Sequence, residues 1–342
     1  MSERRARFAG LLVALHPGLI IYAALVMTES LAALGLAAAA LATVRRRSPR
    51  KVVAGGLLLG LTTLVRPPSI LCAPALGLLG RTGATRTLRA RAIGAIIASA
   101  IAIAVVVPWS VRNCRVMDGC AFVSTNAGWN LAIGASPRAS GRFTTLRAAD
   151  GCRVVTGQIQ QDRCWLNQGA SWIANGPGRW MKLMPRKLSH TFDHESFPIG
   201  YLAEADRSQW PRARQEGARN LLSLFHALLL CLAPLAFVPR AARLRGLLGL
   251  AAVTSLIAHA WFSALHPLWP LALLTVSLAV FAYRDLKPTQ GVLHYAAYAI
   301  ATVCLVHAVF FGEDRYHMVI SPLLCLLAAA AWRTPNAKVA AR

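Results

Sequence analysis

Residues 92–111, AIGAIIASAIAIAVVVPWSV, hold 20 residues and no charged side chain. As a helix they extend about 30 Å, the thickness of a bilayer's hydrocarbon core. Arg86, Arg89 and Arg91 stand before the stretch and Arg112 directly behind it. Apolar stretches recur at 7–26, 28–44, 218–238, 246–264, 266–283, 292–311 and 317–332. The run 51–80 is also apolar, but Arg66-Pro67-Pro68 breaks it. Its halves hold about 15 residues each, roughly 22 Å of helix, so they cross by thinning the bilayer or form a re-entrant pair. The pattern predicts an all-α polytopic membrane protein of about ten transmembrane segments.

Composition agrees. Of 342 residues, 56% belong to the AVILMFWYC set and only 15% are charged. Soluble domains carry about 25% charged residues, so a soluble enzyme and a disordered chain are both excluded. The formal net charge of +24, from 37 Lys+Arg against 13 Asp+Glu, resembles a nucleic-acid signal until the charges are located. Arg4, Arg5 and Arg7 precede the first segment; Arg45, Arg46, Arg47, Arg50 and Lys51 follow the second. Arg81, Arg86, Arg89 and Arg91 follow the broken run, and Arg240 to Arg245, Arg284 with Lys287, and Arg333 to Arg342 occupy later turns. Only Glu3 and Asp285 oppose them there. The positive-inside rule places these stretches and both termini in the cytoplasm, with the chain in the plasma or inner membrane. Much of the charge is then a topology signal and nucleic acid is no partner. No small-residue cleavage site follows the basic start, so the first segment is expected to stay as a membrane helix.

This divides the chain into an N-terminal bundle (1–111), an external segment (112–217) and a C-terminal bundle (218–342). The external segment is polar and rich in Gly, Asn, Ser and Trp. It holds Cys114, Cys120, Cys152 and Cys164; Cys72, Cys231, Cys304 and Cys325 fall inside apolar runs. Four cysteines permit three pairings. Local pairing, Cys114–Cys120 and Cys152–Cys164, closes the shortest loops and is expected. Zinc is the rival, but no C-x-x-C pair is present.

Several short motifs stand in one order: Ala14-Leu15-His16-Pro17, Tyr22, Met27-Thr28-Glu29, Gly56, Gly60, Arg66-Pro67 and Pro108-Trp109-Ser110-Val111-Arg112-Asn113. Ser124-Thr125-Asn126-Ala127-Gly128-Trp129-Asn130-Leu131, Gly134, Pro137, Gly141 and Asp314-Arg315-Tyr316 follow. The series resembles the C-type (GT-C) membrane glycosyltransferases, nearest the branch of protein O-mannosyltransferases and lipid A aminoarabinose transferases, over nearly the whole chain. The resemblance implies an enzyme that moves a sugar from a polyprenyl-phosphate donor to an acceptor glycan, lipid or protein on the external face. In that family an external loop after the first span bears the catalytic acid. No acid lies between Glu3 and Glu29 here, so the base is expected upstream of Met1. The alternative is a non-catalytic membrane paralogue, or a transporter or flippase-like protein.

Transfer from a lipid phosphate needs a base for the acceptor, cations for the departing phosphate and an apolar groove for the tail. Arg66, Arg112 and Arg315, all at external helix ends, are expected to converge on the phosphate, since a guanidinium donates two parallel hydrogen bonds to such a group. Glu29, Asp314 and Tyr316 are possible supporting residues. Asn126, Gly128, Trp129 and Asn130 are expected to form a loop that hydrogen-bonds and stacks on a sugar. Glu313 and Asp314 read as a solvated turn, with ion binding or orientation of an Arg as the other role; no metal site or cofactor is predicted. His190-Thr191-Phe192-Asp193-His194 mimics the H-x-x-E-H metalloprotease pattern with Asp for Glu, and reads as a polar loop near the membrane. His259, His266, His294 and His307 share no helical face and receive no role.

Overall fold

The computed structural model describes residues 2–41, 49–79, 87–152, 157–238, 268–283 and 290–331. Among these the chain is helical, with no strand. Helix α1 (Glu3–Ala14) breaks into α2 (Pro17–Ala24) with a 49° bend. Proline cannot donate to the preceding turn, and His16 caps the new helix by accepting the Leu19 N–H on Nδ1 at 3.3 Å. Next come α3 (Thr28–Leu41) and α4 (Pro49–Val65). Helix α4 stops at Arg66, which is extended (φ −144°, ψ 100°) as residues before proline prefer to be. A 3₁₀ turn, Pro67–Cys72, then leads into α5 (Ala73–Leu79). Helix α6 (Leu88–Val116) packs on α4 and α5. Then follow α7 (Ala127–Ala135), α8 (Gln158–Asn175), α9 (Pro177–Phe192), α10 (Phe197–Ala205) and α11 (Arg212–Leu232). The last elements are α12 (Trp269–Phe281), α13 (Gly291–Val309), a 3₁₀ turn Asp314–Ile320 and α14 (Ser321–Ala331).

Three helical stretches are long and apolar enough to cross a membrane: Leu88–Val116, Arg212–Ala236 and Gly291–Val309. The bent pair α1–α2 makes a fourth if it is one span. The expected ten segments are therefore not supported among the described residues. Apolar composition continues through places where the helix does not. Proline stops the first segment at His16, and the run 51–80 becomes α4, a 3₁₀ turn and α5. Within the described residues, the segment expected at 28–44 contains a helix of 14 residues, that at 266–283 one of 13, and that at 317–332 a 3₁₀ turn before an 11-residue helix. The segment expected at 246–264 lies outside the described residues. Helix α6 still carries an outward apolar face, with Ile93, Ile96, Ile97, Ile103, Val107 and Val111 exposed, the kind of large apolar surface that a bilayer covers.

The expected boundaries at 112 and 217 fall inside helices, since α6 runs on to Val116 and α11 starts at Arg212. Between them, scarce acids are spent on helix N-termini, where four backbone N–H groups lack partners. Asp162 Oδ1 accepts Gly128 N–H (2.8 Å) and Trp129 N–H (3.1 Å) at the start of α7. Asp118 accepts Ile159 N–H (3.0 Å) and Gln160 N–H (2.9 Å) at the start of α8. Asp314 Oδ2 accepts the N–H groups of Ser196 and Phe197 before α10. Asp193 Oδ1 accepts Leu268 N–H (2.7 Å) and Trp269 N–H (2.9 Å) before α12. At the opposite end of a helix, buried Lys187 donates from Nζ to the Ala308 and Val309 carbonyls that end α13 (3.3 and 3.0 Å).

Both expected disulfides are formed, Cys114–Cys120 and Cys152–Cys164, and the other four cysteines are buried. The second joins the segment before α8 to α8 itself, beside the Trp129–Trp165 pair. Replacing Cys152 and Cys164 together by serine is expected to lower stability by roughly 2–3 kcal/mol, from loop-closure entropy returned to the unfolded chain. Thermal melts in detergent that coincide with the native protein's would refute this.

Burial pushes the Asp193 carboxyl up to about 6. A raised acid contributes stability below its ordinary range near 4 and loses it as pH rises through 6. Asp193→Asn keeps an acceptor for Leu268 and Trp269 but cannot ionise. The native protein should therefore lose up to about 2–3 kcal/mol relative to this variant between pH 4 and 7. Parallel stability curves for the two proteins over that interval would exclude the assignment.

Candidate functional site

A cavity of about 510 Å³ opens between α3, the Pro67–Cys72 turn, the start of α7, α13 and the Asp314–Ile320 turn. The Arg66-Pro67-Pro68 break creates its polar end, because ending α4 there turns the Arg66 side chain towards α3. Arg66 Nη1 lies 2.8 Å from Glu29 Oε1, and the Thr28 hydroxyl donates to Glu29 Oε2 at 3.1 Å. Glu29 is 3% exposed and is the sole acid among the lining residues. Tyr316 forms the next wall. Arg66 Cζ and Arg315 Cζ each lie 5.1 Å from its ring centroid, within cation–π range. Arg315 Nη2 donates to the Tyr316 hydroxyl at 3.3 Å, and Phe197 lies 4.8 Å from the Arg315 guanidinium. His307 stacks on Tyr316 at 4.2 Å. The remaining wall is mainly apolar, including Ile70, Leu71, Val303, Val306 and Val319. Two cations and an acid thus face an apolar groove.

Arg66 and Arg315 come together as expected, and Arg112 does not. Arg112 sits over Trp109 at 5.0 Å and donates to Asn113 Oδ1 at 3.2 Å, away from the cavity lining. Helix α6 continues past it, so it is not at a helix end. The Pro108 to Asn113 motif has a local task instead. Trp109 Nε1 donates to the Val123 carbonyl (3.1 Å), Ser110 Oγ to that of Phe122 (2.5 Å) and Asn113 Nδ2 to Ala121 and Val123 (3.3 Å each). These bonds hold residues 121–123, directly after the disulfide-closed loop, against α6.

The expected sugar loop is largely a helix, α7. Asn126 and Asn130 line the cavity. Gly128 is buried against α8, and Trp129 packs on Trp165 at 5.4 Å between ring centroids, so neither is a platform for a ligand. Close approach holds α7 in place: a Cβ on Gly134 would overlap the Phe310 carbonyl at the end of α13. The turn at Glu313 and Asp314 is packed rather than solvated, with exposures of 5% and 1%. Glu313 accepts the Phe143 N–H at 3.1 Å and pairs with Arg142 at 3.3 Å, while Asp314 caps α10. Tyr316 therefore belongs to the cavity, and Asp314 supports it from behind. The His190–His194 segment is no polar loop: it ends α9, with Phe192 fully buried and Asp193 6% exposed.

His307 is a lining residue that sequence reasoning passed over. A signal existed: Ala299, Thr302, Val303, Val306 and Phe310 recur at helical spacing around it and share one face of α13. His294 lies elsewhere on that helix, against Phe237; His259 and His266 lie outside the described residues. No protein-family model, curated protein or solved structure matches the chain.

Proposed function

We propose that this chain is a multi-pass membrane protein of the GT-C glycosyltransferase type, which takes a polyprenyl-phosphate-linked sugar into the cavity at Arg66 and Arg315. The observation that carries the reading is the pair of guanidinium groups that each lie 5.1 Å from the Tyr316 ring centroid at the head of an apolar groove. The phosphate would sit between the two cations, by charge-assisted hydrogen bonds, and the isoprenoid tail along Ile70, Leu71, Val303 and Val306. Asn126 and Asn130 offer amide groups to the sugar. Glu29 is the carboxylate within reach of the head group. Residues 112–217 would face the oxidising exterior, which suits their two disulfides.

The Glu29–Arg66 contact favours a second reading, in which the chain binds the lipid-linked sugar without transferring it. A carboxylate held by a guanidinium is a weak base. The two readings separate in one experiment: purified protein in detergent is given polyprenyl-phosphate mannose and an acceptor extract, and both retention and transfer are measured. Transfer supports the enzyme; saturable binding without transfer supports the second reading; absence of binding rejects both.

A further inference from the structure

Behind the cavity, on the far side of the Asp314–Ile320 turn, stands a group of side chains that the proposed function does not use. Glu195 follows α9, His226 lies in α11 and His317 lies in the turn, and all three have no exposed surface. Each offers one potential ligand atom, and these three atoms lie within 4.8 Å of one another. His317 Nε2 is 3.5 Å from Glu195 Oε2. Both carboxylate oxygens of Glu195, Nδ1 of His226 and Nε2 of His317 are buried without a hydrogen-bond partner. Orphaned polar atoms are costly inside a protein, and three within 4.8 Å of one another call for a common partner.

The tautomers select the same atoms. His226 Nε2 lies 2.9 Å from the Phe192 carbonyl, and His317 Nδ1 lies 2.7 Å from the Thr191 carbonyl. A carbonyl only accepts, so each of those nitrogens carries a proton, and in the neutral tautomer the other nitrogen is the one that keeps a lone pair. Backbone carbonyls commonly orient metal-binding imidazoles in this way. The two rings stack at 3.7 Å with 19° between their planes, so one ion takes both nitrogens only once a ring turns out of the stack. His16 is nearby but differs: its Nδ1 accepts the Leu19 N–H, so its proton is on Nε2. A Cβ on Gly18 would overlap Glu195 Oε1, so glycine there makes room for the carboxylate.

We propose that Glu195, His226 and His317 bind a divalent transition-metal ion of the zinc type. Two imidazole nitrogens and a carboxylate suit zinc and its neighbours, whereas magnesium and calcium prefer oxygen alone. The three residues supply one donor atom each. The ion would tie the end of α9, α11 and the Asp314–Ile320 turn together, and that turn carries Arg315 and Tyr316 into the cavity. Burial holds the Glu195 carboxyl above its usual range, and a bound cation would offset the cost of its charge.

The test uses the full-length protein, purified in detergent with a tag that contains no histidine, stripped with a chelator and titrated with Co²⁺. The expected result is one equivalent of zinc before stripping, and visible Co²⁺ absorption bands that saturate at one equivalent. Glu195→Gln and His226→Ala should each weaken Co²⁺ binding at least about tenfold, while His190→Ala should not. If His226→Ala does not fold, the native stoichiometry and Glu195→Gln decide the matter. Less than about a tenth of an equivalent of zinc, with no Co²⁺ bands after reconstitution, overturns the proposal. Lipid-phosphate binding plays no part in this readout.

Discussion

Replacing Arg66 or Arg315 by alanine is expected to weaken binding of undecaprenyl phosphate by about 10- to 150-fold, while Arg112→Ala leaves it unchanged. Each cavity arginine would supply a charge-assisted hydrogen bond to the phosphate, worth about 1.5–3 kcal/mol. The double variant Arg66→Ala/Arg315→Ala should lose more than about 150-fold, since two such contacts disappear. Arg112 carries the same charge but sits over Trp109, outside the cavity. It therefore controls for general attraction between a basic protein and an anionic lipid. Titration of the lipid into detergent-solubilised protein measures all four. Equal losses in the three single variants would mean that binding follows net charge rather than the cavity.

Replacing Glu29 by leucine is expected to cost about 3–5 kcal/mol of stability, the penalty for breaking a buried ion pair from one side. Glu29 is 3% exposed and its carboxylate lies 2.8 Å from Arg66, whose side chain is 16% exposed. Removing the acid strands a guanidinium between α3, the end of α4 and the Tyr316 ring. Glu29→Gln should be milder, because its amide oxygen still accepts from Arg66. The Gln variant separates stability from function: it frees Arg66 from a competing anion, so lipid-phosphate affinity should rise, whereas transfer to an acceptor should fall if Glu29 is the base. Melting of Glu29→Leu at the native temperature would show that the pair contributes nothing.

Arg66 was legible because Pro-Pro inside an apolar run must end a helix at the residue before it, and that geometry needs only local rules. Arg315 was legible through its motif. Arg112 was misread because sequence places it at the end of an apolar run, not at the end of a helix, and α6 continues to Val116. Trp129 looked like a sugar platform because nothing local announces Trp165, 36 positions later, as its packing partner. The disulfide pairs followed from short spacing. The span count did not follow from hydropathy, which runs unchanged through the breaks at His16 and Pro67, where helices bend or tighten to 3₁₀ geometry. Glu195, His226 and His317 were invisible for a different reason: they come from three separate segments, and only tertiary packing brings their unpartnered atoms within 4.8 Å of one another.

The most direct measurement is photo-crosslinking with a polyprenyl phosphate that bears a diazirine on its isoprenoid tail, followed by peptide mapping. The account predicts saturable labelling of the cavity wall, at Ile70 to Cys72 and Ala299 to Val306, that unlabelled undecaprenyl phosphate competes away and Arg66→Ala/Arg315→Ala abolishes. Labelling spread along the outward face of α6, from Ile93 to Val107, and indifferent to both competitor and variant would contradict it.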